Sequence, residues 1–240
     1  MSMFEEASRP VIYEQDNSEF SYWGKGSSFL IANSSNFYWV TASHVLRNMG
    51  GSADTLRVFP SDKSRISLPF NEQHTVNEGS SDDEDYKDIF MLRLDLADFD
   101  KSGDAPLIGQ DIEKGFMDAY SLKQNDVLWI IGYPAESNFI DYDAYKINST
   151  RSVIRAIYKG ESISQHCHEI EFSTSIELND YDGLSGSPVF YMRQIIHEGE
   201  EVLLPLLVGM LLRGSASSKI GHFVGASVIS NIVNLAEGNA

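Results

Sequence analysis

The sequence is poor in cysteine and in basic residues. It has one cysteine, Cys167, among 240 residues, so no disulfide can form within the chain. Disulfides persist in oxidising compartments, and their absence therefore indicates a reducing compartment, with the cytoplasm as the default prediction. Only 18 lysine and arginine residues stand against 35 aspartate and glutamate residues, which gives a formal net charge of −17. We therefore expect neither nucleic acid nor an anionic membrane as a partner.

Long apolar runs are also missing. No stretch approaches the roughly 18 uninterrupted apolar residues that a membrane-spanning helix requires. Residues 1–6 show neither the basic region nor the apolar region of a secretory signal peptide, so export is not expected. Hydrophobic residues make up 42% of the chain, an ordinary proportion for a globular protein. We expect a single domain over residues 1–240.

Short apolar segments separated by turn residues make up most of the chain. The turn-forming residues 33–36 lie between two such segments and predict a β-hairpin. Residues 71–87 are polar and acidic and are predicted to form a loop, whereas residues 229–236 have apolar spacing suited to a terminal helix. Many strands and few helices predict an all-β fold. Predicted strands include residues 26–32, 37–42, 89–94, 127–134, 169–176, 203–212 and 223–228.

The segment 180–190, with the sequence DYDGLSGSPVF, is the main candidate for a functional site. Gly183 and Gly186 allow backbone angles that a Cβ would block, and Pro188 favours an extended chain after the turn. Ser185 would then lie at the tip of a polar turn, surrounded by backbone N–H groups, as an acyl-transfer nucleophile requires. A glycine- and serine-rich turn is also common as an ordinary loop in β proteins.

Two upstream segments add a histidine and an aspartate. His44 ends the segment WVTASH, and Asp88 directly precedes the apolar residues 89–92. His, Asp and Ser in this order, 44 and 97 residues apart, resemble the chymotrypsin/trypsin-like serine protease family, especially its disulfide-free bacterial branch that includes the HtrA proteases. This resemblance implies two six-stranded antiparallel β-barrels, with a short C-terminal helix after the second. Their predicted bounds are about residues 1–115 and about residues 116–240.

The resemblance implies a serine endopeptidase that needs no cofactor and no metal. Ser185 would be the nucleophile, His44 the general base and then general acid, and Asp88 the group that orients the imidazole. The backbone N–H groups of Gly183 and Ser185 would form the oxyanion hole. The expected substrate is a protein or peptide.

Three other groups compete with this assignment. Ser187 is a second serine in the turn, but the Gly-x-Ser-Gly-x-Pro pattern fits Ser185 instead. Asp85 is a second aspartate near the apolar strand, and we assign it to the acidic loop. The run 166–168, His-Cys-His, suggests a metal site, but neighbouring strand residues point to opposite faces and cannot all bind one ion.

Substrate contacts follow from the same resemblance. Asn179 would lie at the floor of the specificity pocket, where it supplies no carboxylate to select arginine or lysine. Leu212, Arg213 and Gly214 would form the edge strand that pairs with the substrate backbone. Arg213 would attract an acidic substrate residue or simply be exposed. His222 would lie near the pocket wall, where it recognises Glu or Gln or is an ordinary strand histidine.

Regulation is expected not to involve activation by cleavage. Leu184 stands where secreted relatives carry an aspartate that receives a new N-terminus, and leucine cannot do so. A free, always-active protease in the cytoplasm would be harmful, so we expect a regulatory protein partner or ligand that orders the turn at Gly183. The alternatives are a catalytically silent binding module with the protease fold and an esterase-type acyl hydrolase.

Overall fold

Strands dominate the computed structural model, in which two β-sheets have six strands each. The structure describes residues 3–14, 21–34, 36–48, 52–61, 64, 66–76, 85–97, 107–141, 143–144, 146–173, 178 and 180–238. The α-helices in these ranges are short, namely α1 (Met3–Glu6), α2 (Ser43–Asn48) and α3 (Ala226–Ala236). None of them has the length and apolarity that crossing a membrane would require. The predicted all-β fold with a C-terminal helix is confirmed.

The described part of the N-terminal half contains nine short strands. They are β1 (Ser8–Pro10), β2 (Ile12–Glu14), β3 (Tyr22–Trp23), β4 (Ser27–Asn33), β5 (Asn36–Ala42), β6 (Leu56–Arg57), β7 (Phe70–Thr75), β8 (Ile89–Leu94) and β9 (Gln110–Asp111). The six-stranded sheet has the order β1-β4-β5-β8-β7, with β9 parallel to β4, and its described part is open. A second sheet, β3-β2-β6, contributes Tyr13 and Leu56 to the same core.

Residues 71–75, which we predicted to be part of a loop, belong to β7 instead. This strand pairs with β8 from Phe70 opposite Leu94 to Thr75 opposite Phe90. Its side chains are mostly exposed, since β7 lies at the edge of the sheet. The prediction was wrong because an exposed edge strand can be polar throughout, and it then lacks the apolar alternation that marks a strand in the sequence.

The C-terminal half is built on a closed barrel. Its strands, together with a separate hairpin of β11 and β12, are β10 (Val127–Gly132), β11 (Asn138–Asp141), β12 (Lys146–Ser149), β13 (Ser152–Glu161), β14 (Cys167–Phe172), β15 (Pro188–His197), β16 (Glu200–Ser215) and β17 (Ile220–Gly225). The barrel order is β10-β13-β14-β17-β16-β15. As predicted, Pro205 and Gly209 lie in a strand rather than in a helix.

Successive side chains of the barrel strands point to opposite faces, and this alternation produces two cores. Ile130 and Val189 belong to the cluster inside the barrel. Their neighbours Ile131 and Phe190 belong to the cluster that also contains the core of the N-terminal half, because successive side chains of a strand point to opposite faces. Helix α3 adds residues such as Ile229 to this shared cluster. The two halves are therefore packed against each other through buried apolar side chains.

Candidate active site

His44 and Asp88 are brought together by two neighbouring strands. Strands β5 and β8 pair antiparallel with Ala42 opposite Ile89, so the residues just beyond this pair lie side by side. His44 Nδ1 is hydrogen-bonded to Asp88 Oδ2, and the backbone N–H of His44 donates to Asp88 Oδ1 at 2.8 Å. Arg47, one turn later on α2, donates to the same Oδ1 at 3.1 Å. The carboxylate thus fixes the imidazole, and the tautomer that donates from Nδ1 leaves Nε2 as an acceptor.

The backbone of Asp88 supports the same arrangement. Its carbonyl accepts a hydrogen bond from the N–H of Ser43 at 3.1 Å, directly before His44. Its own N–H donates to the carbonyl of Asp85 at 3.1 Å, within the 3₁₀ turn Asp85–Lys87. The main chain and the side chain of Asp88 therefore hold one short segment, residues 43–44, from two directions.

The turn that carries Ser185 is anchored to both halves. The N–H of Gly186 donates to the carbonyl of Leu211 on β16 at 2.8 Å, and the N–H of Ser27 on β4 donates to the carbonyl of Ser185 at 2.9 Å. Gly186 has a φ of 87°, and a Cβ there would lie 2.0 Å from the carbonyl oxygen of Ser27. Only glycine fits this close approach.

The hydroxyl of Ser185 is bonded to the backbone rather than to an imidazole. Ser185 Oγ donates to the carbonyl of Leu212 at 2.8 Å. Ser185 and His44 nevertheless line the same open cavity, together with Gly183 and Asn48. Within the described ranges the two side chains share this cavity without a direct hydrogen bond. A change of χ1 rotamer would redirect the hydroxyl inside it.

Two backbone N–H groups of this turn were predicted to form an oxyanion hole. Neither the N–H of Gly183 nor that of Ser185 donates to a protein acceptor in the described residues. The carbonyl of Asp182 accepts from the N–H of Ala135 at 2.8 Å, and the C=O and N–H of a trans peptide point in opposite directions, so the N–H of Gly183 points away from Ala135. Gly183 and Ser185 both line the cavity.

The competing residues have other environments. Ser187 is fully buried, so its hydroxyl is out of reach of a substrate. Leu184 is also fully buried and belongs to the barrel interior. Cys167 and His168 are buried, and no group of metal-ligating side chains is found in the described residues.

Arg213 is engaged by Asp85, the other aspartate near the strand. Its Nη1 and Nη2 donate to the two carboxylate oxygens at 2.7 and 2.6 Å, and Ser164 Oγ donates to Oδ2 at 2.8 Å. The hydrogen bond from Arg213 and that from Ser164 hold the pKa of Asp85 below its usual value, although burial opposes them. The carboxylate in turn raises the pKa of Arg213. Asp85, which we assigned to the acidic loop, thus links the two halves through Arg213.

The other predicted substrate contacts lie along the end of β16. Its pairing with β15 ends at Met210 opposite Pro188, whereas its pairing with β17 continues to Ser215. Leu212 and Gly214 therefore have a neighbouring strand on one side only in the described part of the chain. His222 lies opposite Arg213 in β17. Asn179, predicted at the pocket floor, lies outside the described residues.

Sequence reasoning missed one pair at the rim of the cavity. Lys25 and Asp182 both line it, and Lys25 Nζ contacts Asp182 Oδ2 at 2.5 Å. Their side chains are 41% and 55% exposed. Asp182 lies in the segment 180–190, but nothing in the sequence pairs it with Lys25, because the contact joins positions 157 residues apart.

Comparisons with known proteins agree with this architecture. No family model and no curated protein matches the sequence. The active form of the Rv3671c protease from M. tuberculosis is 14% identical with a TM-score of 0.51, over 95% of this chain and 80% of that one. The human heparin binding protein is 10% identical with a TM-score of 0.62, over 100% of this chain and 95% of that one. At these identities the likeness shows the fold alone, and the chain has a trypsin-like β fold.

Proposed function

We propose that the protein is a serine endopeptidase of the cytoplasm that cleaves peptide bonds through an acyl-enzyme. The observation that carries this proposal is one cavity lined by His44, Ser185 and Gly183, in which His44 is already bonded to Asp88. A base, a hydroxyl and unpaired backbone N–H groups are the parts that acyl transfer needs. The fold shared with a protease supports the same conclusion.

The proposed reaction starts when Ser185 Oγ turns from Leu212 to His44 Nε2. The Oγ attacks the carbonyl carbon of the substrate while His44 takes its proton, and Asp88 stabilises the imidazolium. The N–H groups of Gly183 and Ser185 bind the oxyanion. His44 then gives the proton to the leaving amine. Water, deprotonated by His44, hydrolyses the acyl-enzyme and restores the serine.

The substrate is proposed to be a polypeptide in extended conformation. The end of β16, including Leu212 and Gly214, has a free edge in the described part of the chain, where a substrate strand would add by β-augmentation. A substrate N–H that bonds to the carbonyl of Leu212 would take the acceptor that Ser185 Oγ uses. Substrate binding would then release the nucleophile. A regulatory protein or ligand that occupies this edge would act in the same way.

A fluorophosphonate probe tests the proposal. The wild-type protein should be labelled, the Ser185→Ala variant should not, and His44→Ala should be labelled at least about a thousandfold more slowly. Ser187→Ala is the matched control, because this serine lies two residues away but is buried outside the cavity. It should be labelled as fast as the wild type. Cleavage of a peptide library then separates a peptidase from an esterase.

A catalytically silent binding module is the second candidate. The hydrogen bond from Ser185 Oγ to the carbonyl of Leu212 favours it, because a serine held away from the imidazole is not activated. This candidate predicts that the wild type is not labelled under any condition, including in the presence of extended peptides that bind the β16 edge. Labelling that depends on Ser185 excludes it.

A further inference from the structure

An ion pair crosses from one half to the other beside the candidate site. Arg213 at the end of β16 binds both oxygens of Asp85 with its planar guanidinium, and Ser164 binds one of them as well. The side chain of Asp85 is 24% exposed, so three protein donors replace much of its hydration. Bidentate, charge-assisted pairs of this kind are short and fix orientation as well as distance.

On one side, the pair connects to the imidazole through Asp88. The backbone carbonyl of Asp85 accepts the N–H of Asp88 in the same 3₁₀ turn. Asp88 in turn bonds to the ring and the backbone of His44. A displacement of Asp85 would therefore displace the carboxylate that orients His44.

On the other side, the pair connects to the nucleophile. Arg213 directly follows Leu212, whose carbonyl accepts the hydroxyl of Ser185. The strand is irregular at this point, because the register between β16 and β17 shifts between Leu211 and Arg213. The guanidinium therefore holds a locally irregular part of β16 through its bond to the opposite half.

The halves are also joined at Ser27, on the oxyanion side of the cavity. Its N–H donates to the carbonyl of Ser185 at 2.9 Å, and its Oγ donates to the carbonyl of Gly183 at 2.7 Å. The N–H of Tyr133 donates to Ser27 Oγ at 2.8 Å. If the two halves rotated about these bonds, the distance between His44 and Ser185 would depend on a second contact between the halves, close to Asp88. Asp85 and Arg213 form such a contact.

We propose that Asp85 and Arg213 are positioning residues that set the distance between the Asp88–His44 pair and Ser185. This inference rests on the proposed function, because catalysis is the property that the pair would serve. A misplacement of about 1 Å in a reacting group can lower a rate by about a hundredfold. Loss of the pair should therefore lower the rate of the chemical step while substrate binding changes little.

The test compares kcat and KM of single and double variants. The substrate is a fluorogenic peptide chosen by the library cleavage. Asp85→Asn and Arg213→Met should each lower kcat by about 10- to 100-fold, with KM within about threefold of the wild-type value. The double variant that combines Asp85→Arg with Arg213→Asp should have a kcat at least about tenfold higher than that of either reversal alone, since opposite charges then face each other again.

The control breaks a surface ion pair that joins two strands of the barrel and does not link the two halves. Lys159 Nζ contacts Glu171 Oε2 at 2.8 Å between β13 and β14, away from the cavity. Glu171→Gln should leave kcat and KM unchanged. It shows what the loss of an ordinary surface pair does to this protein.

Four results would overturn the inference. The first is an unchanged kcat in Asp85→Asn. The second is a lower melting temperature with an unchanged kcat, because the pair would then be purely structural. A raised KM with normal kcat would assign Arg213 to substrate binding instead. Absence of labelling in the wild type would remove the proposed function and the inference with it. In the first three cases the wild type is active, so a failure of the inference alone can be recognised.

Discussion

The two halves hold their parts of the candidate site by different means. In the N-terminal half, the carboxylate of Asp88 collects hydrogen bonds from His44 and Arg47, so charged side chains set the geometry. In the C-terminal half, backbone hydrogen bonds to β16 and to Ala135 hold the turn of Gly183 and Ser185. The barrel behind this turn is closed, although the end of β16 extends beyond its pairing with β15, whereas the described part of the first sheet is open. We therefore expect the C-terminal part to be sensitive to backbone changes and the N-terminal part to charge changes.

A substitution at Gly183 should disrupt the turn that backbone hydrogen bonds hold, and we expect it to have the largest effect on labelling. Its φ is 86°, and a Cβ would lie 2.5 Å from the carbonyl oxygen of Tyr133 and 2.7 Å from the N–H nitrogen of Ala135. The Gly183→Ala variant must move this peptide and its N–H. We expect the rate of fluorophosphonate labelling to fall by about a hundred- to a thousandfold, the cost of one lost oxyanion donor.

The control for this change is Gly199→Ala in the turn between β15 and β16. Gly199 has nearly the same φ, 85°, but a Cβ there would meet nothing within 4 Å. The variant carries the same backbone strain without the collision, and it should be labelled at the wild-type rate. If Gly183→Ala is labelled equally fast, the N–H of Gly183 takes no part in the reaction.

The pH dependence of stability should sharpen the comparison by reporting on His168, a buried histidine of the C-terminal half. Its Nδ1 is hydrogen-bonded to the hydroxyl of Tyr158 at 2.9 Å, and its Nε2 has no partner among the described residues. Burial lowers the pKa of His168 from 6.5 to about 4. The unfolded chain therefore takes up a proton before the folded one as pH falls. The contribution of His168 to the free energy of unfolding is therefore fully present above pH 6.5 and is lost as the pH falls toward 4. At 1.36 kcal/mol per pKa unit, this loss amounts to about 3 kcal/mol.

Urea unfolding at pH 7, 5.5 and 4 would measure this decline. The variant His168→Phe lacks the titrating group, so its free energy of unfolding should fall less steeply over the same range. Equal slopes for the variant and the wild type would mean that other groups cause the decline. The comparison does not depend on the proposed activity.

The smallest effect is expected from Lys25 and Asp182, the exposed pair at the cavity rim. Both side chains are largely open to solvent, and exposed ion pairs contribute about 0–1 kcal/mol. We expect Lys25→Met to change the free energy of unfolding by less than about 1 kcal/mol, and the change to shrink in high salt. Urea unfolding at two salt concentrations would check this. A loss above about 2 kcal/mol would show that surface charge, and not only packing and backbone bonds, joins the halves.

The features that sequence reasoning recovered are local in the chain. The hairpin of β4 and β5 follows from two apolar runs around a polar turn. The turn at Ser185 follows from the positions of its two glycines, both of which have positive φ values in the structure. The missed strand β7 is polar and exposed, so its position depends on β8 and not on its own pattern.

The sequence by itself determined the all-β class and the C-terminal helix, because these depend on the spacing of apolar residues over a few neighbouring positions. His44, Asp88 and Ser185 were predicted as a site from the resemblance of their three segments to a protease family, and this assignment stays a prediction. Only the tertiary structure decided that Ser185 donates to Leu212 and that Asp85 binds Arg213. The latter pair joins positions 128 residues apart, and such pairing is set by how the two sheets pack. Charge alone cannot select it, because 35 acidic side chains compete for 18 basic ones.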